Sequence, residues 1–102
     1  MSRLKVTNLS IEGLKLIERQ SLGDSRGYLA RLFCAEELQP AGWVQAIAQV
    51  NHTYTAKKGT VRGMHYQRQP YAEMKLVSCV RGEVLDVVVD LRADSDTFLK
   101  LY

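Results

Sequence analysis

The stretch Val84-Leu85-Asp86-Val87-Val88-Val89-Asp90-Leu91 decides the fold that this sequence predicts. In a β-strand, successive side chains point to opposite faces, so residues 85, 87, 89 and 91 share one wholly apolar face. The opposite face carries two aspartates, Asp86 and Asp90, among valines. This two-residue period is typical of a strand that packs one face against a core. We therefore expect a strand over 84–91.

Short apolar segments separated by turn residues continue this pattern along the chain. They predict strands over 11–17, 28–33, 43–50, 63–67, 75–80 and 96–102. Turns rich in Gly, Asp or Lys are expected at 23–27 and 57–59, and a tight hairpin turn is expected at 81–83. The segment 34–38 is expected to form one short helical turn, which Pro40 ends. Many short strands at regular spacing predict an all-β sandwich or barrel.

Length and composition limit the class of protein. The chain has 102 residues, of which 46% are hydrophobic and 25% charged, so we expect a single globular domain over 1–102. It contains no apolar run of the roughly 20 residues that span a bilayer, and its first ten residues do not resemble a signal peptide. We therefore expect a soluble, cytoplasmic protein without membrane contact. The net charge of +3, without a dense basic run, argues against nucleic-acid binding.

The densest cluster of chemically versatile side chains contains Arg62, His65 and Lys75. Arginine binds phosphate through two parallel hydrogen bonds, histidine exchanges protons near neutral pH, and lysine stabilises an oxyanion. Together these groups suit proton abstraction beside a carbonyl in a phosphate-bearing substrate. The spacing alone leaves open the alternative that His65 is a structural residue of its strand.

Metal binding is not expected from this sequence. A His-x-His pair on a strand would place two imidazoles on one face, but the residue two positions after His65 is Gln67. The other histidine, His52, lies in a different segment, and Cys34 and Cys79 belong to no CxxC pair. We expect two buried, reduced thiols and no metal site.

Three further polar residues are candidates for ligand contacts. Gln49 and Asn51 lie two positions apart and would share one strand face, where two amides suit a sugar or a pyrophosphate; the alternative is a solvated edge strand. Asp86 would pair with Lys75 or Arg62 if its face lines a pocket, because a buried carboxylate needs a partner. The alternative is a solvent-exposed Asp86, and the sequence leaves both choices open.

Six motifs occur in a fixed order along nearly the whole chain. They are GDSRGY at 23–28, QVN at 49–51, KGTVRGMHYQ at 58–67, KLV at 75–77, GEVLDVVVDLR at 82–92 and SDTF at 95–98. This order resembles the dTDP-4-dehydrorhamnose 3,5-epimerase family, the dTDP-sugar epimerases of the cupin superfamily. The RGMHYQ block, with KLV and DVVVDLR downstream, is its most specific part. The resemblance implies a cupin-type jelly roll, of which this chain would form a partial, truncated barrel.

The resemblance also implies a reaction and a set of roles. Family members abstract protons at C3 and C5 of a 4-keto-6-deoxy sugar nucleotide, without a metal or organic cofactor, for deoxysugar biosynthesis. By resemblance, His65 is the catalytic base and Lys75 stabilises the enolate oxygen. The implied substrate-binding residues are Arg26 and Arg62 at phosphate, and Gln49 and Asn51 at the nucleotide sugar. A homodimer is implied as well, in which N-terminal strands cross to the partner and Arg26 serves the neighbouring site.

The chain departs from the family pattern in two ways. Arg31 stands where many dTDP-specific members carry an acidic residue that helps hold the nucleoside, which leaves the base specificity open. The chain also ends near the family's midpoint, before the catalytic Tyr and the Asp that orients the histidine, and Tyr102 comes too early to replace that Tyr. Whether the chain is an enzyme is therefore left open. The alternative is a non-catalytic half-barrel that binds nucleotide sugar or only oligomerises, and its exposed sheet edges predict that it is not a monomer.

Overall fold

Two β-hairpins near the N-terminus carry most of the regular structure. The computed structural model describes residues 2–102. Its elements are strands β1 (Leu4–Asn8), β2 (Lys15–Arg19), β3 (Ser21–Asp24) and β4 (Gly27–Ala30), followed by helix α1 (Ala35–Leu38). β1 pairs with β2 and β3 with β4, in two separate antiparallel sheets. Small antiparallel sheets with one short helix agree with the predicted all-β class.

The first hairpin begins earlier than the sequence pattern indicates. Leu4 of β1 lies opposite Arg19 of β2, and the apolar pair Val6 and Ile17 lies between the strands' ends. Residues 11–13 form a turn, in which Gly13 adopts a φ of +87° that side chains other than glycine rarely tolerate. The predicted strand over 11–17 is therefore wrong at its start, and β1 was not predicted.

The second hairpin confirms the turn predicted at 23–27. Asp24 lies opposite Gly27, which leaves a two-residue loop at its tip. Gly23 is required there because a Cβ at this position would collide with the carbonyl oxygen of Gly27. The strand that follows is shorter than the predicted 28–33 and ends at Ala30.

Helix α1 confirms the predicted helical turn and contributes to the small core. Leu38 is buried, and its carbonyl accepts a hydrogen bond from the Trp43 amide at 3.0 Å. The Trp43 ring packs edge-on against Phe33, with 5.6 Å between the ring centroids. The buried apolar residues of the described chain are Leu4, Ile11 and Leu38.

Residues 88–102 fold back on themselves near the C-terminus. The amides and carbonyls of Val88 and Tyr102 exchange two hydrogen bonds of 2.9 Å, and Val89 forms an antiparallel bridge with Leu101. The predicted strands over 84–91 and 96–102 are thus reduced to this single bridge. Turns over 93–99 interrupt the second of them.

The strands predicted over 43–50, 63–67 and 75–80 do not form in the described chain. Their backbone groups make no backbone–backbone hydrogen bond to any residue in 2–102 beyond the Trp43 amide. A strand exists only where a second strand supplies hydrogen bonds, and no neighbour does so here. For the same reason the hairpin predicted at 81–83 is absent, although the predicted turn at 57–59 is present.

The described chain leaves a large apolar surface in contact with solvent. Its accessible surface is 9480 Å², whereas a folded monomer of this mass exposes about 5800 Å². Its radius of gyration is 15.7 Å, against about 13 Å for a compact chain of this length. Much of the excess comes from side chains between residues 50 and 85, such as Val50, Val61 and Leu85. Exposed apolar surface of this extent is unusual for a soluble monomer.

Candidate functional site

Arg62 and His65 lie on the segment that follows the turn at 57–59. Arg62 donates from Nε to the Thr55 hydroxyl at 3.2 Å and from Nη2 to the Tyr54 carbonyl at 3.3 Å. These bonds anchor the guanidinium and leave Nη1 for a ligand. His65 is exposed and lies beside Gly63, where a Cβ would come within 3.4 Å of the imidazole Nδ1.

Lys75 belongs to a small polar network around Glu73. Its Nζ lies 3.6 Å from Glu73 Oε1, and both side chains are about half exposed. Gln67, with its amide nitrogen turned towards Glu73, donates to the same oxygen at 2.6 Å. Exposed ion pairs of this length contribute little stability. The Lys75 ammonium is therefore free to leave Glu73 for a stronger anion.

Within residues 2–102, no hydrogen bond or ion pair joins the predicted site residues of this region to one another. Gln49, Asn51 and Asp86 are exposed, and their side chains make no hydrogen bond within residues 2–102. Asp86 forms no ion pair with either Lys75 or Arg62 across the same residues. Arg62, His65 and Lys75 also share no hydrogen bond there. Their grouping remains a prediction from the sequence.

Arg26 is held at the tip of the β3–β4 hairpin by Asp24. The Arg26 amide donates to Asp24 Oδ1 at 2.9 Å, and Arg26 Nη2 donates to Oδ2 at 2.8 Å. The Arg26 guanidinium lowers the pKa of Asp24, which stays ionised and in turn raises the pKa of Arg26. Residues of this hairpin line an open cavity of about 410 Å³. Arg26 therefore faces solvent in a fixed loop.

Arg31 is engaged by Glu37 of α1, a contact that the sequence did not predict. Arg31 Nη1 donates to Glu37 Oε2 at 2.6 Å. The other oxygen, Oε1, accepts from the Ser2 hydroxyl at 2.7 Å and from the Arg3 amide at 2.6 Å. The Arg31 hydrogen bond, followed by that of Ser2, lowers the pKa of Glu37 from 4.5 to about 2. Ser2 and Arg3 precede Glu37 by more than thirty residues, so no local motif signals these two contacts.

Asp90 is the most fully hydrogen-bonded carboxylate of the described chain, and its role is structural. It is only 4% exposed and accepts bonds from Arg92 Nε at 2.9 Å, Ser95 Oγ at 2.7 Å and Thr97 Oγ1 at 2.6 Å. Arg92 also donates to the Glu12 carbonyl at 2.7 Å, which fastens 88–102 to the β1–β2 turn. The bond from Arg92, ahead of those from Thr97 and Ser95, holds the pKa of Asp90 far below its usual range.

Asp24 and Asp90 share a local signal that sequence reasoning overlooked. Each is followed two positions later by an arginine, at Arg26 and Arg92. In both places the arginine amide bonds back to the aspartate, at 2.9 and 3.0 Å, while the guanidinium closes on the same carboxylate. Aspartate commonly bonds the backbone two residues ahead in turns. The Asp-x-Arg pattern thus predicts a closed turn at both positions.

Three further observations concern metals, thiols and membranes. Within residues 2–102, no three His, Cys, Asp or Glu side chains group closely enough to hold a metal ion together. Cys34 and Cys79 are both free, as expected, but neither is buried as predicted: Cys34 is half-buried and Cys79 is exposed. Across the part of the chain that the structure describes, no helix has the length and apolar character needed to cross a membrane.

Comparison with known proteins identifies the family. The family model described as dTDP-4-dehydrorhamnose 3,5-epimerase matches residues 8–102. A protein of that name from Sinorhizobium fredii is 41% identical over 93 residues, which cover 91% of this chain and 48% of the relative. One from Shigella flexneri is 41% identical over 98 residues, covering 95% of this chain and 54% of the relative. A dTDP-4-dehydrorhamnose 3-epimerase from Streptomyces niveus is 36% identical over 96 residues, covering 93% and 46%.

This chain belongs to the dTDP-4-dehydrorhamnose 3,5-epimerase family. It spans about half the length of the curated relatives that it matches. No solved structure gives a significant match. The motif order that predicted the family is therefore confirmed, while the residue roles rest on the argument below.

Proposed function

We propose that this chain carries the base-bearing half of a nucleotide-sugar epimerase site. Its substrate is a 4-keto-6-deoxy hexose of the dTDP-4-dehydrorhamnose type, made in the cytoplasm for deoxysugar synthesis. The observation that carries the proposal is the family match over residues 8–102, which includes the whole RGMHYQ block. The exposed His65, Arg62 and Lys75 side chains are open to a ligand, as such a site requires.

His65 is the proposed base. The 4-keto group acidifies C3 and C5, and the imidazole takes the proton from one of these carbons. The electron pair of the broken C–H bond becomes the carbon–carbon double bond of an enolate, and the charge moves to the keto oxygen. Gly63 lies beside the imidazole, where an added Cβ would come into van der Waals contact with Nδ1 at 3.4 Å. Reprotonation from the opposite face inverts the carbon and draws its proton from water or another polypeptide.

Lys75 is the proposed stabiliser of the enolate oxygen. Its contact with Glu73 is long and solvated, so a full oxyanion next to Nζ competes well for the ammonium group. Glu73 also accepts a hydrogen bond from the Gln67 amide, so its carboxylate keeps one hydrogen-bond donor when Lys75 moves away. The substrate thus gains the lysine at small cost to the network.

The arginines and amides are the proposed nucleotide contacts. Arg62 keeps one guanidinium nitrogen unbonded, and Arg26 lies at an exposed hairpin tip, so both suit phosphate oxygens. Gln49 and Asn51 are solvent-facing amides that suit the hydroxyl groups of the sugar nucleotide. Arg26 makes no hydrogen bond to Arg62, His65 or Lys75 within residues 2–102, and we assign it to the site of a second copy.

A homodimer with exchange of N-terminal strands, built on a cupin-type jelly roll, is the proposed assembly. The chain exposes roughly 3700 Å² more than a monomer of its mass would. Obligate interfaces bury about 2000–5000 Å² or more in total over both partners, so the excess on two chains is more than enough to form one. The unpaired segments over 43–87 supply strand edges that another chain can extend.

Solvent deuterium exchange tests the proposed reaction. The chain is incubated in D₂O with a 4-keto-6-deoxy nucleotide sugar, and loss of the C3 and C5 proton signals is followed by NMR. Exchange is expected for the wild type and for His52→Ala, a matched control at the other exposed histidine. His65→Ala is expected to slow exchange about 10²- to 10⁴-fold, the usual effect of losing a positioned base.

A non-catalytic half-barrel is the second candidate function. It is favoured by one observation: within residues 2–102, no carboxylate bonds the His65 imidazole to orient it. This candidate predicts that dTDP shifts the NMR signals near Arg62 while no deuterium enters the sugar. Exchange that requires His65 would contradict it, and a folded chain that neither exchanges nor binds would contradict both candidates.

A further inference from the structure

A small cavity lies at the junction of the two hairpins, away from the Arg62–Lys75 region in sequence. Its volume is about 100 Å³, and Arg3, Gln20, Leu29 and Arg31 line it. Arg3 precedes β1, Gln20 links β2 to β3, and Arg31 follows β4, so the cavity exists only when both hairpins are formed. The Gln20 amide donates to the Arg3 carbonyl at 3.2 Å, which joins two of its walls.

Glu37 fixes the positions of both arginines. One carboxylate oxygen holds the Arg3 amide at 2.6 Å and the Leu4 amide at 3.1 Å, and the other holds Arg31 Nη1 at 2.6 Å. Its side chain is only 15% exposed, which makes this anchor largely inaccessible to competing groups. Arg3 is thus held by its backbone and Arg31 by one guanidinium nitrogen.

The remaining guanidinium donors at the cavity have no partner. Within residues 2–102, the Arg3 side chain makes no hydrogen bond or ion pair, and Arg31 uses only Nη1. Arg19 adds a third positive charge next to this junction, where it donates to the Leu32 carbonyl at 2.9 Å. Arg3 and Arg31 thus bring two guanidinium groups to the cavity, where Arg31 is paired with Glu37 and Arg3 has no carboxylate partner within residues 2–102.

Guanidinium donors without a hydrogen-bond partner beside a small cavity favour an anion with several oxygens. Arginine binds phosphate through two parallel hydrogen bonds, and converging positive charge concentrates anions at a cavity. The side-chain amide of Gln20 adds a neutral donor on the same wall. We propose that the junction cavity is a binding site for a phosphate-type oxyanion, held by Arg3, Arg31 and Gln20. The oxyanion is either free inorganic phosphate or the phosphate of a nucleotide.

The test is a titration followed through the arginine Nε–H signals in ¹H–¹⁵N NMR. The probes are inorganic phosphate and dTDP, each added to the full chain at constant ionic strength. Saturable shifts of the Arg3 and Arg31 signals are expected. Arg3→Gln is the cleaner variant because its side chain holds no internal bond, and far-UV circular dichroism verifies its fold. It is expected to weaken binding about tenfold or more, the effect of one lost charged hydrogen bond.

Matched variants separate this site from non-specific charge effects. Arg81→Gln removes one exposed positive charge elsewhere and is expected to leave binding unchanged. If dTDP has a higher affinity than inorganic phosphate and this affinity depends on Arg3, the ligand is a nucleotide. If the affinity for dTDP is no higher, the ligand is free phosphate. Equal affinity of Arg3→Gln and wild type for both probes would overturn the proposal. The readout needs no turnover, so its failure is distinct from a failure of the His65 exchange experiment.

Discussion

Replacement of Leu38 by alanine tests which apolar residues form the core of the isolated chain. Leu38 is 2% exposed, whereas Leu85, an identical side chain, is 92% exposed. Leucine-to-alanine changes in a core cost about 2–5 kcal/mol. Phe33 and Trp43, which flank α1, are only half-buried and can move into the space, so the lower half of that range applies. We expect a loss of about 2–3 kcal/mol for Leu38→Ala.

This loss corresponds to a fall in Tm of about 10–20 °C for a chain of this size. The measurement is thermal and urea unfolding of both variants in dilute solution, where the chain does not associate. Leu85→Ala is expected to stay within about 0.5 kcal/mol of the wild type there. If both variants lose the same stability in dilute solution, the assignment of the core is refuted.

The same pair of variants reports on association. A second copy that covers Leu85 would bury a leucine worth about 1.5–3 kcal/mol. In sedimentation at increasing concentration, Leu85→Ala is then expected to weaken self-association about ten- to a hundredfold. A Leu85→Ala variant that associates as strongly as the wild type would show that this part of the surface lies outside the interface.

Three further changes probe the carboxylates. Glu37 has a lowered pKa, so its ionised form stabilises the fold above pH 4.5, and this stabilisation is lost as the pH falls towards 2. Glu37→Gln is therefore expected to make the free energy of unfolding depend less on pH between 4.5 and 2. An unchanged acid-unfolding curve would contradict the role of Glu37 as an anchor. Asp90→Asn is expected to raise amide exchange in the terminal bridge at least tenfold, with exposed Asp96→Asn as the neutral control in the same hydrogen-exchange experiment. Asp24→Asn is expected to increase the mobility of the Arg26 Nε–H in ¹⁵N relaxation, and equal mobility in the variant would show that Asp24 does not hold it.

Local features of the fold were predictable from the sequence. The hairpin turn at 23–27 depends on Gly23, where no side chain fits, and on a two-residue loop. The helical turn before Pro40 depends on neighbours within a few residues. The Asp-x-Arg turns at 24–26 and 90–92 were equally local, and their signal was present but not used.

Non-local features were not predictable in the same way. Alternating apolar residues indicate that 43–50, 63–67, 75–80 and 84–91 suit strands, but the pattern does not name the partner that each strand needs. In the described chain the partners are missing, so only the Val89–Leu101 bridge forms. The Glu37 contacts were also hidden, since Ser2 and Arg3 precede it by more than thirty residues.

The candidate site was predicted by motif order and not by geometry. The order of motifs identifies the family, and the comparisons confirm it. The structure fixes Arg62 on the segment 54–55 and Lys75 beside Glu73, but it leaves His65 exposed to solvent. The exposure of a side chain depends on what packs against it, and the order of motifs does not specify that packing.

Deuterium exchange measured as a function of protein concentration tests the central claim most directly. We expect C3 exchange per chain to rise as copies associate, because Arg26 and covered surface complete the site, and we expect His65→Ala to abolish the rise. The exchange rate at each concentration is compared with the fraction of associated chain from sedimentation. A folded, associated wild-type chain that exchanges no faster than His65→Ala would contradict the claim that this chain carries the epimerase base.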